Sequence, residues 1–523
     1  MSTLSRTGLK LCCLALLLWP GVTGAADPTP GPGFINNAAL IPKYEPDDKV
    51  QMEGMSPDWV KTLVMAQFRI ETATPEGIFA SATKVLDHYA EMGVNGLWIN
   101  PVYERDPAKR ATGFNGYGNF GPHTIDPALT GTTDRDKSFA EVKTFVNEAH
   151  QRNIRVIFDI IVWGVGKGSP LLDQQKEFFF FNGARKEVWS GWAFNWQVPE
   201  MREWFVSAAV DFINRTGADG FRVDLDPTIT GYGVFEEVRK RLYAQGKKVI
   251  IISEGQNVRK GVYDFEQGGV GMEREPNFDD PKWQDIFLEE TLDYYLRHSI
   301  SDSIKTGKGV GIVSLQQANE GGKFRFYTYN PISHDHIHPV INGSRLKMAY
   351  PMIFAPYIPM WFIGEEWNNP KRLTAGTGAM YYNTIDWATR DLPANRGFYE
   401  DVKKFLRIRR SHPEIFECFP ENHREANLVK VEAEGNSLES YARFRNGKAV
   451  IVVPNNSAAE KTFRVHLPFE AMGVDSTKGG KITDLLDEKR IVERDASAPT
   501  TFQASVQPDS VGVYLVEQSS EAF

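Results

Sequence analysis

Gly220-Phe221-Arg222-Val223-Asp224 is the stretch on which the fold of this chain is read. It is a short β-type run that closes on an acid, and Arg222 stands two residues before that acid, on the same strand face. Ile251-Ile252-Ser253-Glu254 ends the same way further along, and Ser333-His334-Asp335 follows later. In a parallel barrel the strand ends open into one shared crevice, so acids far apart in sequence converge on one substrate.

Outward from this stretch, short apolar runs alternate with amphipathic ones. Residues 63–68, 96–99, 155–161, 220–223, 249–252, 324–329 and 360–363 read as buried strands. Residues 78–92, 136–152, 200–215, 234–245, 283–304 and 399–411 read as helices. This alternation predicts β/α units around a parallel sheet, hence an α/β fold with a (β/α)8 barrel over 59–424. The eighth strand is expected between Tyr263 and Asp279, where no clean strand pattern is visible.

A small insertion after the third strand, 163–198, carries Phe178 to Phe181, Trp189, Trp192 and Trp196. Such rings either form a local hydrophobic core or stack on sugar faces, and both readings stand at this point. Beyond residue 425 the helical pattern stops. Runs at 438–444, 449–453, 462–467 and 512–516 predict a C-terminal antiparallel β-sandwich over 425–523.

Charge and composition narrow the partner. The chain has 523 residues and a net charge of −8, which gives no electrostatic footprint for nucleic acid. A neutral or weakly charged small molecule fits better. The N-terminus carries Arg6 and Lys10, an apolar run from Leu11 to Val22, and then Thr23-Gly24-Ala25-Ala26. This is the pattern of a cleaved secretory signal over 1–26, which predicts a secreted or periplasmic protein with no stable membrane span. Residues 27–58, with Pro28-Thr29-Pro30-Gly31-Pro32-Gly33, read as a linker or irregular segment. After cleavage only Cys418 of the three cysteines would remain, so no internal disulfide is expected.

These motifs, in this order, resemble the α-amylase superfamily, glycoside hydrolase family 13, over most of residues 60–415. Gly220–Asp224 is similar to that family's nucleophile motif, Glu254 to its acid/base, and His334-Asp335 to its His-Asp pair after the seventh strand. Weaker matches follow in order at Trp98-Ile99-Asn100-Pro101, Gly116-Tyr117 through Ile125-Asp126-Pro127, Ile358-Pro359-Met360 with Gly364-Glu365-Glu366, and Leu406 to Pro413. The resemblance implies a retaining glycosidase or transglycosylase acting on α-glucosidic bonds of an α-glucan or oligosaccharide. Asp224 would be the nucleophile, Glu254 the acid/base and Asp335 the transition-state stabiliser. His334 would donate to a sugar hydroxyl, and Tyr117 would stack beneath the sugar. The chemistry agrees: a retaining mechanism needs one ionised and one protonated carboxyl, about 5 to 5.5 Å apart. Arg222 can hold Asp224 ionised through a charge-assisted bond.

The sequence also departs from the family. The third-strand motif Asp-x-Val-x-Asn-His reads here Asp159-Ile160-Ile161-Val162-Trp163-Gly164, so the sugar-contacting histidine is absent and Trp163 replaces the usual calcium-binding asparagine. Pro227-Thr228 stands where Lys-His is frequent, Ser333 where asparagine is usual, and Gly121-Pro122 where an acidic-aromatic pair is. No cofactor is assigned, and calcium is left open by the loss of that ligand.

Other readings compete. Arg222 and Asp224 could form a buried ion pair alone, and Glu365-Glu366 reads as structural. A non-catalytic, amylase-like carbohydrate-binding protein is the alternative of another class. In His334-Asp335-His336-Ile337-His338 the alternating histidines suit a metal-dependent hydrolase. Later histidines His412, His423 and His466 fall in the last helix or beyond the barrel, which disfavours it. Gly164-Val165-Gly166-Lys167-Gly168-Ser169 lacks the Gly-Lys-Ser/Thr order of a phosphate loop. Oligomeric state is not legible in the sequence.

Overall fold

The computed structural model describes residues 57–107, 116–188, 191–224, 234–253, 265–266, 326–329, 343–353, 358–369, 384–416, 428–436, 438, 440–474, 480–488, 490, 492, 494–495 and 498–518. At its centre are the parallel strands β1 (Met65–Phe68), β2 (Gly96–Ile99), β3 (Arg155–Ile161) and β4 (Gly220–Asp224). They continue as β5 (Ile250–Ser253), β6 (Phe265–Glu266), β7 (Phe326–Tyr329) and β8 (Ile358–Phe362). Each pairs in parallel with the next, and β8 returns to β1, closing the barrel. The eighth strand lies in the expected window, as the two-residue β6. Two residues are too few to leave a period in the sequence.

Alternation along each strand divides the barrel residues between two environments. Met65, Trp98, Ile157, Ile250, Ile252 and Met360 form one cluster, with Val60 and Leu63 closing it. Ala66, Leu97, Val156, Phe158, Phe221, Val223, Ile251 and Trp361 belong to the larger core beneath the helices. Buried apolar side chains on both faces explain the near-continuous apolar runs. The inward parity also carries Gln67, Asp159, Arg222 and Asp224, which are polar and buried.

The helices that cover the barrel are α1 (Leu86–Met92), α2 (Arg135–Gln151), α3 (Pro199–Thr216), α4 (Val234–Ala244), α5 (Arg345–Ile353) and α6 (Pro393–Ser411). α2 shows why they form. Asp134 caps it by accepting from the backbone N–H groups of Asp136 and Lys137, and Phe139, Val142, Phe145, Val146 and Ala149 make its buried face. α6 starts earlier than its apolar period suggests, because Pro393 suits a first helical turn whereas Asn395 and Gly397 mask the pattern. The expected helix at 78–92 is broken into Phe79–Ala82, Thr83–Val85 and α1. α5 was not expected from the sequence, since Pro351 lies inside it. The expected helix at 283–304 lies outside the described residues, as do 1–56. No helix among the described residues is long and apolar enough to cross a membrane.

Behind the barrel stands one eight-stranded antiparallel sheet. In chain order it comprises β9 (Leu428–Ala433), β10 (Ser440–Arg445), β11 (Lys448–Asn455) and β12 (Lys461–His466). It is completed by β13 (Gly480–Asp484), β14 (Arg494–Asp495), β15 (Ala498–Val506) and β16 (Ser510–Gln518). The spatial order is β13-β16-β11-β10-β9-β12-β15-β14. The sheet curls around Val431, Ile451, Val465, Phe502 and Tyr514, as a sandwich does. Its other face, with Tyr441, Val450, Val452, Val513 and Leu515, joins the barrel's own core. Polar ties fix the junction: the Leu346 N–H donates to the Asp509 carbonyl (2.9 Å), and Arg443 Nη2 to that of Ile415 (3.1 Å).

β4 can approach β5 closely only because Gly220 has no side chain: a Cβ there would stand 2.0 Å from the Ile250 carbonyl oxygen. Gly220→Ala is expected to cost about 3 kcal/mol by urea denaturation. Gly246→Ala, in open space with only a left-handed backbone to strain, should cost about 1 kcal/mol. Equal losses would show that the strand approach does not constrain position 220.

Candidate active site

Strand register sets the site. β3 and β4 pair so that Asp159 lies beside Arg222 and Ile161 beside Asp224. Arg222 Nη1 donates to Asp159 Oδ1 (3.1 Å) and Oδ2 (3.2 Å) and to Asp224 Oδ1 (2.9 Å). One guanidinium thus serves two carboxylates. Asp159 is fully buried and Asp224, at the end of its strand, is 6% exposed. Asp224 is therefore the acid of this pair at the mouth. A hydrogen bond to the charged form of a carboxylate favours that form.

Asp159 collects further donors. Trp98 Nε1 reaches its Oδ2 at 3.1 Å, and the Tyr117 hydroxyl reaches the same oxygen at 2.7 Å. The chain continues through Asn100 Nδ2 to the Tyr117 oxygen (3.4 Å) and Gln67 Nε2 to Asn100 Oδ1 (3.0 Å). The Trp98 ring also lies 4.8 Å from the Arg222 guanidinium carbon, a cation–π contact. The Tyr103 hydroxyl donates to the Asp159 carbonyl (2.8 Å). Burial, and then the Asp159 charge, push that hydroxyl well above its ordinary range, so it stays protonated as a donor. Strands β1 to β4 and the Tyr117 loop therefore meet on one charged centre.

The Tyr117 loop is tied on both sides. The Phe120 N–H donates to the Glu104 carbonyl, and the Gly166 N–H of the insertion donates to that of Asn119, both at 2.7 Å. In the insertion, Gly164–Gly166 pairs antiparallel with Gly191–Ala193. A Cβ on Gly164 would meet the Trp192 carbonyl oxygen at 2.0 Å, so a main-chain strand occupies the space beside this position, where the family carries its histidine. Trp163 is buried with Tyr117 and Ile161. Calcium takes oxygen ligands, whereas Trp163 offers one indole N–H donor from an apolar cluster, so this residue does not fit the ion.

The insertion's aromatics divide. Phe178, Phe179, Phe194 and Trp196 are buried, and Trp196 Nε1 donates to the Val162 carbonyl (3.1 Å), so they form a local core rather than sugar platforms. Trp192 is half-buried, with Lys167 Nζ 5.6 Å and the Arg185 guanidinium carbon 6.0 Å from its ring. Glu366 is structural as expected: buried, it accepts from the Gly364 N–H (2.7 Å), lies 3.1 Å from Trp361 Nε1 and 3.0 Å from His88 Nε2.

Of the residues singled out in the sequence, the structure brings together Tyr117, Arg222 and Asp224. Glu254, His334 and Asp335 lie outside the described residues, as do Trp189, His336 and His338. Asp159 and Trp98 were not singled out as site residues, yet they form the centre. Asp159's place two residues along β3 from Ile157, with inward parity, was the available signal.

A closed eight-stranded parallel barrel with a charged cluster where its third and fourth strands end, backed by an antiparallel sheet, defines a (β/α)8-barrel protein with its candidate site at the strand ends. No protein-family model matches the chain. It is 27% identical over 367 residues to malto-oligosyltrehalose trehalohydrolase from Saccharolobus solfataricus, covering 63% of this chain and 60% of that protein. It is 24% identical over 411 residues to a cyclomaltodextrinase from a Bacillus species, covering 72% of this chain and 65% of that one. The chain thus spans less than two thirds of either relative. The α-amylase of Geobacillus thermoleovorans, solved with acarbose, superposes with a TM-score of 0.61 at 18% identity, over 88% of this chain and 99% of that one. By sequence the chain is similar to these enzymes, and by structure it has the fold of the α-amylases.

Removing the shared cation should take the guanidinium's charge from two buried carboxylates. Arg222→Met is expected to lose about 3–5 kcal/mol at pH 7 by urea denaturation, with the loss shrinking in acid as the carboxylates protonate. An unchanged midpoint would refute the shared-cation reading. His123 stands beside the Tyr117 loop, against Gly121. Its Nδ1 is buried with no hydrogen-bond partner among the described residues, and burial, then the Arg135 charge, hold its pKa down to about 4 from the ordinary 6.5. Between these values the unfolded chain takes up a proton that the native one refuses, so stability falls as pH drops from 6.5 to 4. His123→Gln should remove about 3 kcal/mol of that loss; an unaltered pH profile of Tm would count against it.

Proposed function

We propose that the chain is a secreted or periplasmic retaining glycoside hydrolase or transglycosylase acting on α-glucosidic bonds of α-glucans or oligosaccharides. The observation that carries this is the Arg222 to Asp224 bond at the mouth end of β4, at 2.9 Å. Asp224 attacks the anomeric carbon while Glu254 protonates the leaving glycosidic oxygen, giving a covalent glycosyl-enzyme intermediate. Glu254 then takes a proton from water or from a second sugar's hydroxyl, which displaces Asp224. Asp335 stabilises the positive charge developing on the ring, His334 holds a hydroxyl, and Tyr117 lies beneath the sugar. Ser253, the residue before Glu254, pairs with Val223, the residue before Asp224, and this supports the pairing of the two acids. The named activities of the two relatives support a glucan or oligosaccharide substrate. Export rests on the apolar run Leu11 to Val22 and the small residues after it.

The test is product release from starch, maltooligosaccharides, isomaltose, sucrose and trehalose. Asp224→Asn and Glu254→Gln are each expected to lower turnover by about 10³-fold or more with the fold unchanged by circular dichroism. Normal activity in either variant would overturn its role. No product from the unaltered protein, together with measurable sugar binding, would favour a carbohydrate-binding protein, for which Trp163-Gly164 is the motivating departure.

A further inference from the structure

The third-strand departure is compensated by matched residues. Trp163 is 3% exposed and shares a buried cluster with Tyr117 and Ile161. Its ring lies against the backbone at Gly191, where a Cβ would stand 2.8 Å from two ring atoms and 2.1 Å from the Val165 carbonyl oxygen. The Phe194 N–H donates to the Trp163 carbonyl (3.1 Å), and Gly164 pairs with Ala193. Trp163 therefore lies against the returning strand of the insertion and shares its buried cluster with Ile161 at the end of β3 and with Tyr117, whose hydroxyl reaches Asp159.

We propose that Trp163 is a positioning residue: packed on Gly191, it pins the insertion to the barrel mouth without a bound cation and holds Tyr117 against Asp159. The pin is local and apolar. A large flat ring needs a glycine opposite it, and Gly191 supplies one; the indole offers no oxygen to calcium, and its neighbours Tyr117 and Ile161 enclose it. The consequence for sugar affinity rests on the function proposed above, because Tyr117 lies beneath the sugar only on that reading. The consequence for docking does not.

The experiment compares the unaltered protein with Trp163→Phe, Trp163→Ala and Gly191→Ala. In the unaltered protein, Tm is expected to be the same in EDTA and in calcium chloride; a fall of Tm on chelation that calcium reverses would overturn the cation-free pin. In Trp163→Ala and Gly191→Ala, trypsin is expected to cut faster at Arg185 or Lys186 in the insertion, with Trp163→Phe close to the unaltered protein; unchanged cutting in both would overturn the docking role. On an active protein Trp163→Ala should raise KM about tenfold with a smaller change in kcat, and Trp163→Phe should restore most of it. A lowered Tm with unchanged KM would reduce Trp163 to a structural residue and refute its action through Tyr117. If Trp163→Ala does not fold, Gly191→Ala and Trp163→Phe carry the same readouts. Should the unaltered protein prove inactive, the proposed function fails, while the chelation and trypsin arms still decide the pin.

Discussion

The Arg222 guanidinium, shared between Asp159 and Asp224, is the interaction on which the site and much of the barrel interior depend. Burying two carboxylates and one cation is costly in desolvation, and the cost is offset only if each group finds good partners. The barrel supplies them from several strands: Trp98 from β2, Asp159 from β3, and Arg222 and Asp224 from β4, with Tyr117 closing the set from a loop. Register is the means. A slip of one residue between β3 and β4 would turn Arg222 away from Asp159 and place Val223 opposite it, so the charge cluster and the strand pairing require each other.

Two levels can be distinguished within the inward-facing residues. Below, Met65, Trp98, Ile157, Ile250, Ile252 and Met360 pack as an apolar plug. Above it the side chains turn polar over two strand positions. Trp98 bridges both levels, with its ring in the plug and its N–H and π face turned to Asp159 and Arg222. An indole suits that boundary because it buries a large apolar area and still donates one hydrogen bond.

The strands were legible because a barrel strand is apolar on both faces and short, and β2 and β3 fall on their expected limits. The acid-ended run at Gly220–Asp224 was legible because its residue types are costly to bury without a purpose. What escaped reading was tertiary in origin. β15, Ala498–Val506, is rich in Thr, Gln and Ser, and its strand state comes from pairing with β12 rather than from its own pattern. Asp159 looked like one residue of an altered motif until its neighbours showed four donated hydrogen bonds converging on its carboxylate. The insertion aromatics read equally as core or platform, and only burial separates Trp196 from Trp192.

The altered motif at the end of β3 affects the rim more than the charge centre. Asp159, its first residue, is bonded to Arg222 and Tyr117, whereas Trp163 and Gly164 come after the strand, in contact with the insertion. Gly164 admits the backbone of the Gly191–Ala193 strand, and Gly191 in turn admits the Trp163 ring, so these changes are one packing solution and not independent losses. Buried ion pairs are weak contributors to stability compared with apolar side chains of similar volume. The structure thus separates a charge centre held by β2, β3 and β4 from a rim where Trp163, Gly164 and Gly191 pack the insertion against the barrel.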